Sequence, residues 1–236
     1  MTLSSSPRRV WAIADTHLSF ASKKSMERFG GEWRNHAEKL KTNIEKVVGP
    51  EDVLLLPGDL SWATRRRQAE PDLDFLAALP GIKVCCKGNH DFWWESDKPI
   101  NHPGLHSPPL ILDDGALGIA GSRGWYIPPS NTTKEAAKRD NAAIERETNR
   151  LQKTLDAIKD CRIKLVIMHY PPQLWLKQIK GAGVPLVAYG HVHRNSLPQD
   201  EKLAFLGEEF DGVKLYCVAC DRIDFKPKLL LEKRAD

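Results

Sequence analysis

The chain has 236 residues, 41% apolar and 28% charged, which is enough apolar material for a packed core and excludes disordered and fibrous classes. Against 31 acidic residues stand 35 lysines and arginines, a net charge of +4, which lacks the dense basic stripe of a nucleic-acid binder. No stretch approaches the 18 successive apolar residues of a membrane span, the run Val10 to Ala14 is too short for a signal peptide, and the five cysteines follow no framework spacing. These features point to one domain over residues 1–236, reduced and cytoplasmic.

In chain order, Arg9 to Ala14 reads as a first strand. From Trp33 to Val48, Ala37, Leu40, Ile44 and Val47 recur at helical spacing, and Gly49-Pro50 ends the helix. Val53 to Leu56 is a buried strand halted by Pro57-Gly58. A helix follows from about Ala63 to Leu79, with Pro71 as its weak point. Ile82 to Cys86 is a further buried strand, and Ser96 to Pro109 is loop. Ile119 to Tyr126 reads as a strand broken by glycines. Thr133 to Lys159 is the clearest helix, with Ile144, Leu151, Leu155 and Ile158 on one face and Thr132 or Thr133 as cap. Leu165 to Met168 and Leu186 to Tyr189 are two buried strands around a short helix near Leu174 to Ile179. From Leu203 to Leu231 the chain is rich in β signal, mostly antiparallel, with Asp211-Gly212 as a hairpin turn. Cys217 and Cys220 lie in this part, and without a second half-site they read as packing.

The informative residues follow the strands. Asp15-Thr16-His17, Gly58-Asp59, Gly88-Asn89-His90-Asp91, His169 and Gly190-His191-Val192-His193 each end an apolar run. In open α/β sheets strand ends converge on one crevice, so these groups meet in space. Mixed imidazole and carboxylate donors suit manganese, iron or zinc. Two cations repel each other, and a shared aspartate such as Asp59 offsets that repulsion. Glycines 58, 88 and 190 permit tight turns before each ligand.

With these motifs, in this order over residues 15–193, the sequence resembles the calcineurin-like metallophosphoesterase superfamily. Gly58-Asp59-Leu60-Ser61-Trp62-Ala63, Lys87-Gly88-Asn89-His90-Asp91-Phe92-Trp93-Trp94 and Arg123-Gly124-Trp125 further resemble a bacterial subgroup of predicted phosphohydrolases. The resemblance implies an α/β fold, a four-layer αββα sandwich of two mixed β-sheets flanked by helices. It implies two divalent transition-metal ions, manganese first, with iron, zinc or nickel accepted by the same ligands. Asp15, His17, Asp59 and His193 would hold one ion, and Asp59, Asn89, His169 and His191 the other. His90 would contact the phosphoryl group or protonate the leaving oxygen, with Asp91 orienting its ring. Trp62 stands where many members carry Asp or Asn and purple acid phosphatases carry a ligating tyrosine; an indole N–H cannot ligate metal.

The function so implied is hydrolysis of phosphate mono- or diesters by metal-activated hydroxide, on a phosphorylated small molecule or nucleotide. Two alternatives stand beside it: a nuclease of the same superfamily, and a non-catalytic metal-binding scaffold. Arg123 and Arg194 are the candidate substrate-binding residues. His102 and His106 are placed at the edge of the site, and His36 on a solvated helix face. Trp93 and Trp94 are read as cleft wall or packing, and 126–138 as a lid or a surface loop.

Overall fold

The computed structural model of the chain describes residues 9–22, 24–95, 98–195 and 209–232. The first sheet joins four parallel strands, β1 (Val10–Ala12), β2 (Val53–Pro57), β3 (Ile82–Cys86) and β4 (Leu105–His106). The second sheet contains β5 (Leu110–Leu112), β6 (Leu117–Ser122), β7 (Ile163–Met168), β8 (Leu186–Tyr189), β9 (Glu209–Phe210) and β10 (Val213–Cys217). A last strand, β11 (Lys228–Leu231), returns to the first sheet antiparallel to β1. The orders are β11-β1-β2-β3-β4 and β5-β6-β7-β8-β10-β9.

Alternation along the strands builds the layers. Val10, Ala12, Val53, Leu55 and Val84 point between the sheets, where they meet Leu117, Ile119, Leu165, Ile167, Leu186 and Ala188. The alternate residues Trp11, Ile13, Leu54, Leu56 and Cys85 point outward, against Leu40 and Ile44 of α1 (His36–Val47) and Leu73 and Leu76 of α2 (Arg66–Ala78). On the far side Ala120, Val166, Met168 and Val187 pack against Leu151 and Leu155 of α3 (Lys134–Ala157) and Leu176 and Ile179 of α4 (Leu176–Gly181). The architecture is therefore an αββα sandwich of two mixed sheets. Strands covered on both faces read as unbroken apolar runs, as Val53 to Leu56 does.

Several boundaries differ from expectation. The helix expected from Trp33 starts at His36, because Gly31–Trp33 forms a separate 3-10 turn and Asn35 takes a left-handed conformation (φ 53°). α2 runs through Pro71, since Ala69, Asp72, Leu73 and Leu76 are all buried on that helix and hold it in place. β6 is unbroken because β7 pairs with it along its whole length and β5 with its first half. The proline-rich stretch contains β4, which adds an edge to the first sheet. At the C-terminal end, Asp211-Gly212 does close a hairpin of β9 and β10, but β10 joins the sheet parallel to β8. Residues 203–208 of that expected region lie outside the described residues. No described helix is long and apolar enough to cross a membrane.

Leu151 is fully buried between α3 and the second sheet. Leu151→Ala is expected to lower the unfolding free energy by about 2–5 kcal/mol. Denaturant unfolding measures this, and an unchanged midpoint would show that α3 does not depend on that contact.

Candidate metal centre

Five strands deliver the motif residues to one edge of the sandwich. Asp15 and His17 follow β1, Asp59 follows β2, Asn89 and His90 follow β3, His169 follows β7, and His191 and His193 follow β8. Backbone bonds lock the loops together: Asp15 N–H donates to Gly58 O at 3.0 Å, His17 N–H to Asp59 O at 3.0 Å, and Gly190 N–H to His169 O at 3.1 Å. Asp15, His17, Asp59 and His191 all hold positive φ, between 43° and 68°, a conformation that is costly for residues with a side chain and tends to occur where function needs it. Gly88 and Gly190 have a different reason to be glycine. A Cβ on Gly88 would lie 2.0 Å from Asp59 Oδ1, and one on Gly190 would lie 2.5 Å from Asp15 Oδ2.

Asp15, His17 and His193 offer ligand atoms within 4.8 Å of one another, and so do Asp15, Asp59 and His169. The donor chemistry is that of a cation site. A carbonyl can only accept, so the contact of His169 Nδ1 with Pro57 O at 3.2 Å places its proton on Nδ1. Its Nε2 is then an acceptor, yet it lies 2.6 Å from the acceptor Asn89 Oδ1, which is itself 2.9 Å from His191 Nδ1. Asp59 Oδ2 is 3.5 Å from the same Nε2. On the other side His193 Nδ1 meets the Asp221 carboxylate at 3.1 Å, and its Nε2 lies 3.3 Å from His17 Nε2. His17 Nδ1 is buried with no hydrogen-bond partner. Two acceptors 2.6 Å apart, with further ring nitrogens close by, fit bound cations. Asp15 belongs to both groups, a position the resemblance reserves for Asp59.

Burial dominates the electrostatics. It raises the Asp15 carboxyl well above its ordinary range and lifts Asp59 to about 6. It lowers His169 and His191 to about 3. For His193 burial acts downward, but the Asp221 bond and the charges of Asp15, Asp221 and Asp59 outweigh it and the pKa rises.

Asp91 departs from the role expected for it. Its carboxylate accepts from Leu60 N–H (2.9 Å), Ser61 N–H (3.1 Å), Gly88 N–H (2.8 Å) and Trp93 Nε1–H (3.2 Å). It therefore ties the Asp59 loop to the Asn89 loop, and among the described bonds none joins it to the His90 ring. The His90 ring sits 4.2 Å from Trp62, and Trp62 stacks on His17 at 4.8 Å. Trp62 Nε1–H donates to Met26 Sδ at 2.8 Å, so the indole clamps both imidazoles. Exposed Phe29 and Phe92 extend this aromatic wall.

The remaining candidates divide. The Arg123 guanidinium lies 4.5 Å over Trp125 and 3.9 Å from Glu147. Arg194 is exposed and paired with Asp224 at 2.7 Å. His102 is held by Asp74 at 3.0 Å beside α2, and His106 is exposed on β4, so neither edges the centre. His36 is not solvated: its ring packs edge-on to Trp33 at 5.5 Å, and its Nε2 is buried. Trp93 and Trp94 both pack in the core of the first sheet. Lys134–Lys138 is already the first turn of α3, capped by Thr133, and Asp140 holds Trp125 and Tyr126. All five cysteines are free thiols, and Cys220 Sγ–H donates to Asp15 O at 3.0 Å. The residue missed from sequence is Asp221. Its only signal was its place after the last strand of the second sheet, beside a Cys-x-x-Cys pair.

A family model described as calcineurin-like phosphoesterase matches residues 8–195. Among solved structures, phosphopantetheinyl hydrolase from Mycobacterium tuberculosis is 15% identical, with a TM-score of 0.56 over 91% of this chain and 89% of that one. This likeness shows the fold. A protein of unknown function from Aquifex aeolicus is 20% identical over 93% of this chain and 94% of its own, with a TM-score of 0.42. No curated protein matches the chain.

Two outcomes are expected. Protons compete with cations for Asp59, whose pKa is about 6. His169 and His191, at about 3, remain neutral there. Cation affinity should therefore fall as pH drops from about 7 to about 5, with the carboxylates and the His193 ring taking up the protons. Cation titrations across that window test this, and a flat affinity would contradict it. Asp221→Asn should weaken cation binding about 10–100-fold by loosening the His193 ring, with circular dichroism unchanged.

Proposed function

The chain belongs to the calcineurin-like phosphoesterase family, and on that premise we propose that it hydrolyses phosphate mono- or diesters at a centre of two divalent cations. Metal-dependent phosphoester hydrolysis is the family's chemistry. The two-cation centre is carried by one observation: the Asn89 side-chain oxygen meets the acceptor Nε2 of His169 at 2.6 Å and the His191 ring at 2.9 Å, beside the His17–His193 pair at 3.3 Å.

Asp15, His17, Asp59 and His193 would hold one cation, and Asp59, Asn89, His169 and His191 the other. When bound, such a pair neutralises phosphoryl oxygens and supplies an activated water near neutral pH. The chain's own residues do the rest. Asp59 Oδ1 accepts His90 N–H at 2.8 Å, which fixes the His90 backbone against the centre. The half-buried His90 ring stands at the rim, held against Trp62, and can donate a hydrogen bond to the phosphoryl or leaving oxygen. Asp91 keeps the two loops in register, so His90 and Asp59 keep their spacing. Manganese is the first candidate metal, because a mixed set of imidazole, carboxylate and carboxamide donors suits it.

His90→Ala is expected to lower kcat about 10²–10⁴-fold while elemental analysis still finds both cations. Wild-type turnover in that variant would remove His90 from the reaction.

A further inference from the structure

Beside the centre lies a cleft of about 310 Å³, between the ends of β3 and β6, the proline-rich segment and α3. That volume falls within the range of small-molecule sites, about 300–1,000 Å³. We propose that this cleft binds a second phosphate group of the substrate, one that is not cleaved. The preferred substrates would then carry two phosphoryl groups. This proposal rests on the phosphoesterase reading above.

The lining is unbalanced in charge. Among the described lining residues Lys87, Lys98, Arg123, Arg150 and Lys153 are cationic, and Glu147 is the one carboxylate. Glu95, outside the lining, pairs with Lys98 at 2.7 Å. Glu147 is already engaged: it accepts Arg123 N–H at 3.0 Å and pairs with the Arg150 guanidinium, and it is 1% exposed. Lys87 Nζ donates to the Trp94 carbonyl, which holds its charge at the cleft wall, and Lys153 stands at the exposed rim. Two guanidiniums and three ammonium groups around one cleft suit a multiply charged oxyanion, which arginine can grip through two parallel bonds.

Unmet hydrogen bonds point the same way. Ser122 lines the cleft, is buried, and by alternation with Ala120 faces α3. Its Oγ has no partner, and neither has the buried Nε of Arg123. Buried polar groups in native proteins are nearly always paired. Arg123 Nε–H can only donate and the Ser122 hydroxyl can donate, so an anion rich in acceptors satisfies both.

The cleft and the centre share backbone. Arg123 O accepts His169 N–H at 3.1 Å and Tyr170 N–H at 3.0 Å. Lys87 lies two residues before Asn89. One short molecule can therefore place one phosphate at the centre and another in the cleft.

The test compares kcat/KM for butane-1,4-diol monophosphate and bisphosphate on the cation-loaded full chain, alongside pyrophosphate titration of the cation-free chain in chelator. Wild type should favour the bisphosphate about tenfold. Lys153→Ala, at the exposed rim, should remove most of that preference while leaving monophosphate turnover unchanged, and should weaken pyrophosphate binding about tenfold. Ser122→Ala should weaken pyrophosphate binding with no loss of Tm, since it removes an unpaired hydroxyl. Equal kcat/KM for both compounds overturns the substrate role, even where free pyrophosphate binds. Equal pyrophosphate affinity in wild type and Lys153→Ala overturns the cleft. If the loaded chain cleaves neither compound while Lys153-dependent binding persists, the phosphoesterase reading fails and the anion site stands.

Discussion

Burial of ionisable groups around a common point is the constraint on which this structure depends. Asp15, Asp59 and His169 are almost fully buried, with His17 beside them, and water cannot screen them. Isolated buried charges cost several kcal/mol each unless paired or coordinated. Protein donors meet only part of this demand. Asp15 accepts His191 N–H and Asp59 accepts His90 N–H, while Asn89 Oδ1 faces the acceptor Nε2 of His169. Cations are what such a donor set is short of.

The scaffold supplies stiffness around that point. Strands buried on both faces cannot slide without exposing apolar surface, so their ends are fixed in space. Left-handed turns at Asp15, Asp59 and His191 aim the side chains inward, and the absence of a Cβ on Gly88 and Gly190 lets neighbouring loops close on the carboxylates. Asp91 then staples two of these loops, and Asp221 orients His193 from the loop after the neighbouring strand β10. Trp62, which no metal can use, does its work as an apolar clamp on His17 and His90.

A net charge of +4 hides strong segregation. Carboxylates collect at the centre, where cations would neutralise them. In the cleft, Lys87, Lys98, Arg123, Arg150 and Lys153 stand with one described carboxylate, the engaged Glu147. On the proposals above, a cation-loaded centre and the adjacent basic cleft would form one extended anion-binding surface.

Much of this was legible in sequence because it is local. Apolar runs such as Val53 to Leu56 marked doubly covered strands, and each ligand stood directly after such a run, so order alone placed His17, Asp59, Asn89, His169 and His191 at one edge. What sequence could not carry depends on contacts between distant segments. Pro71 within α2, the parallel docking of β10 on β8, and the 3-10 turn before α1 are decided by packing. The same holds for single residues. Asp91 looked like a partner for its neighbour His90, but its lone pairs are taken by backbone donors about 30 residues back. Asp221 had no motif at all and acquires its role 28 residues from His193 in sequence. Side-chain type and strand order determined the chemistry of the centre; only the tertiary structure decided which groups touch, because hydrogen-bond geometry over a few ångströms has no counterpart in sequence spacing.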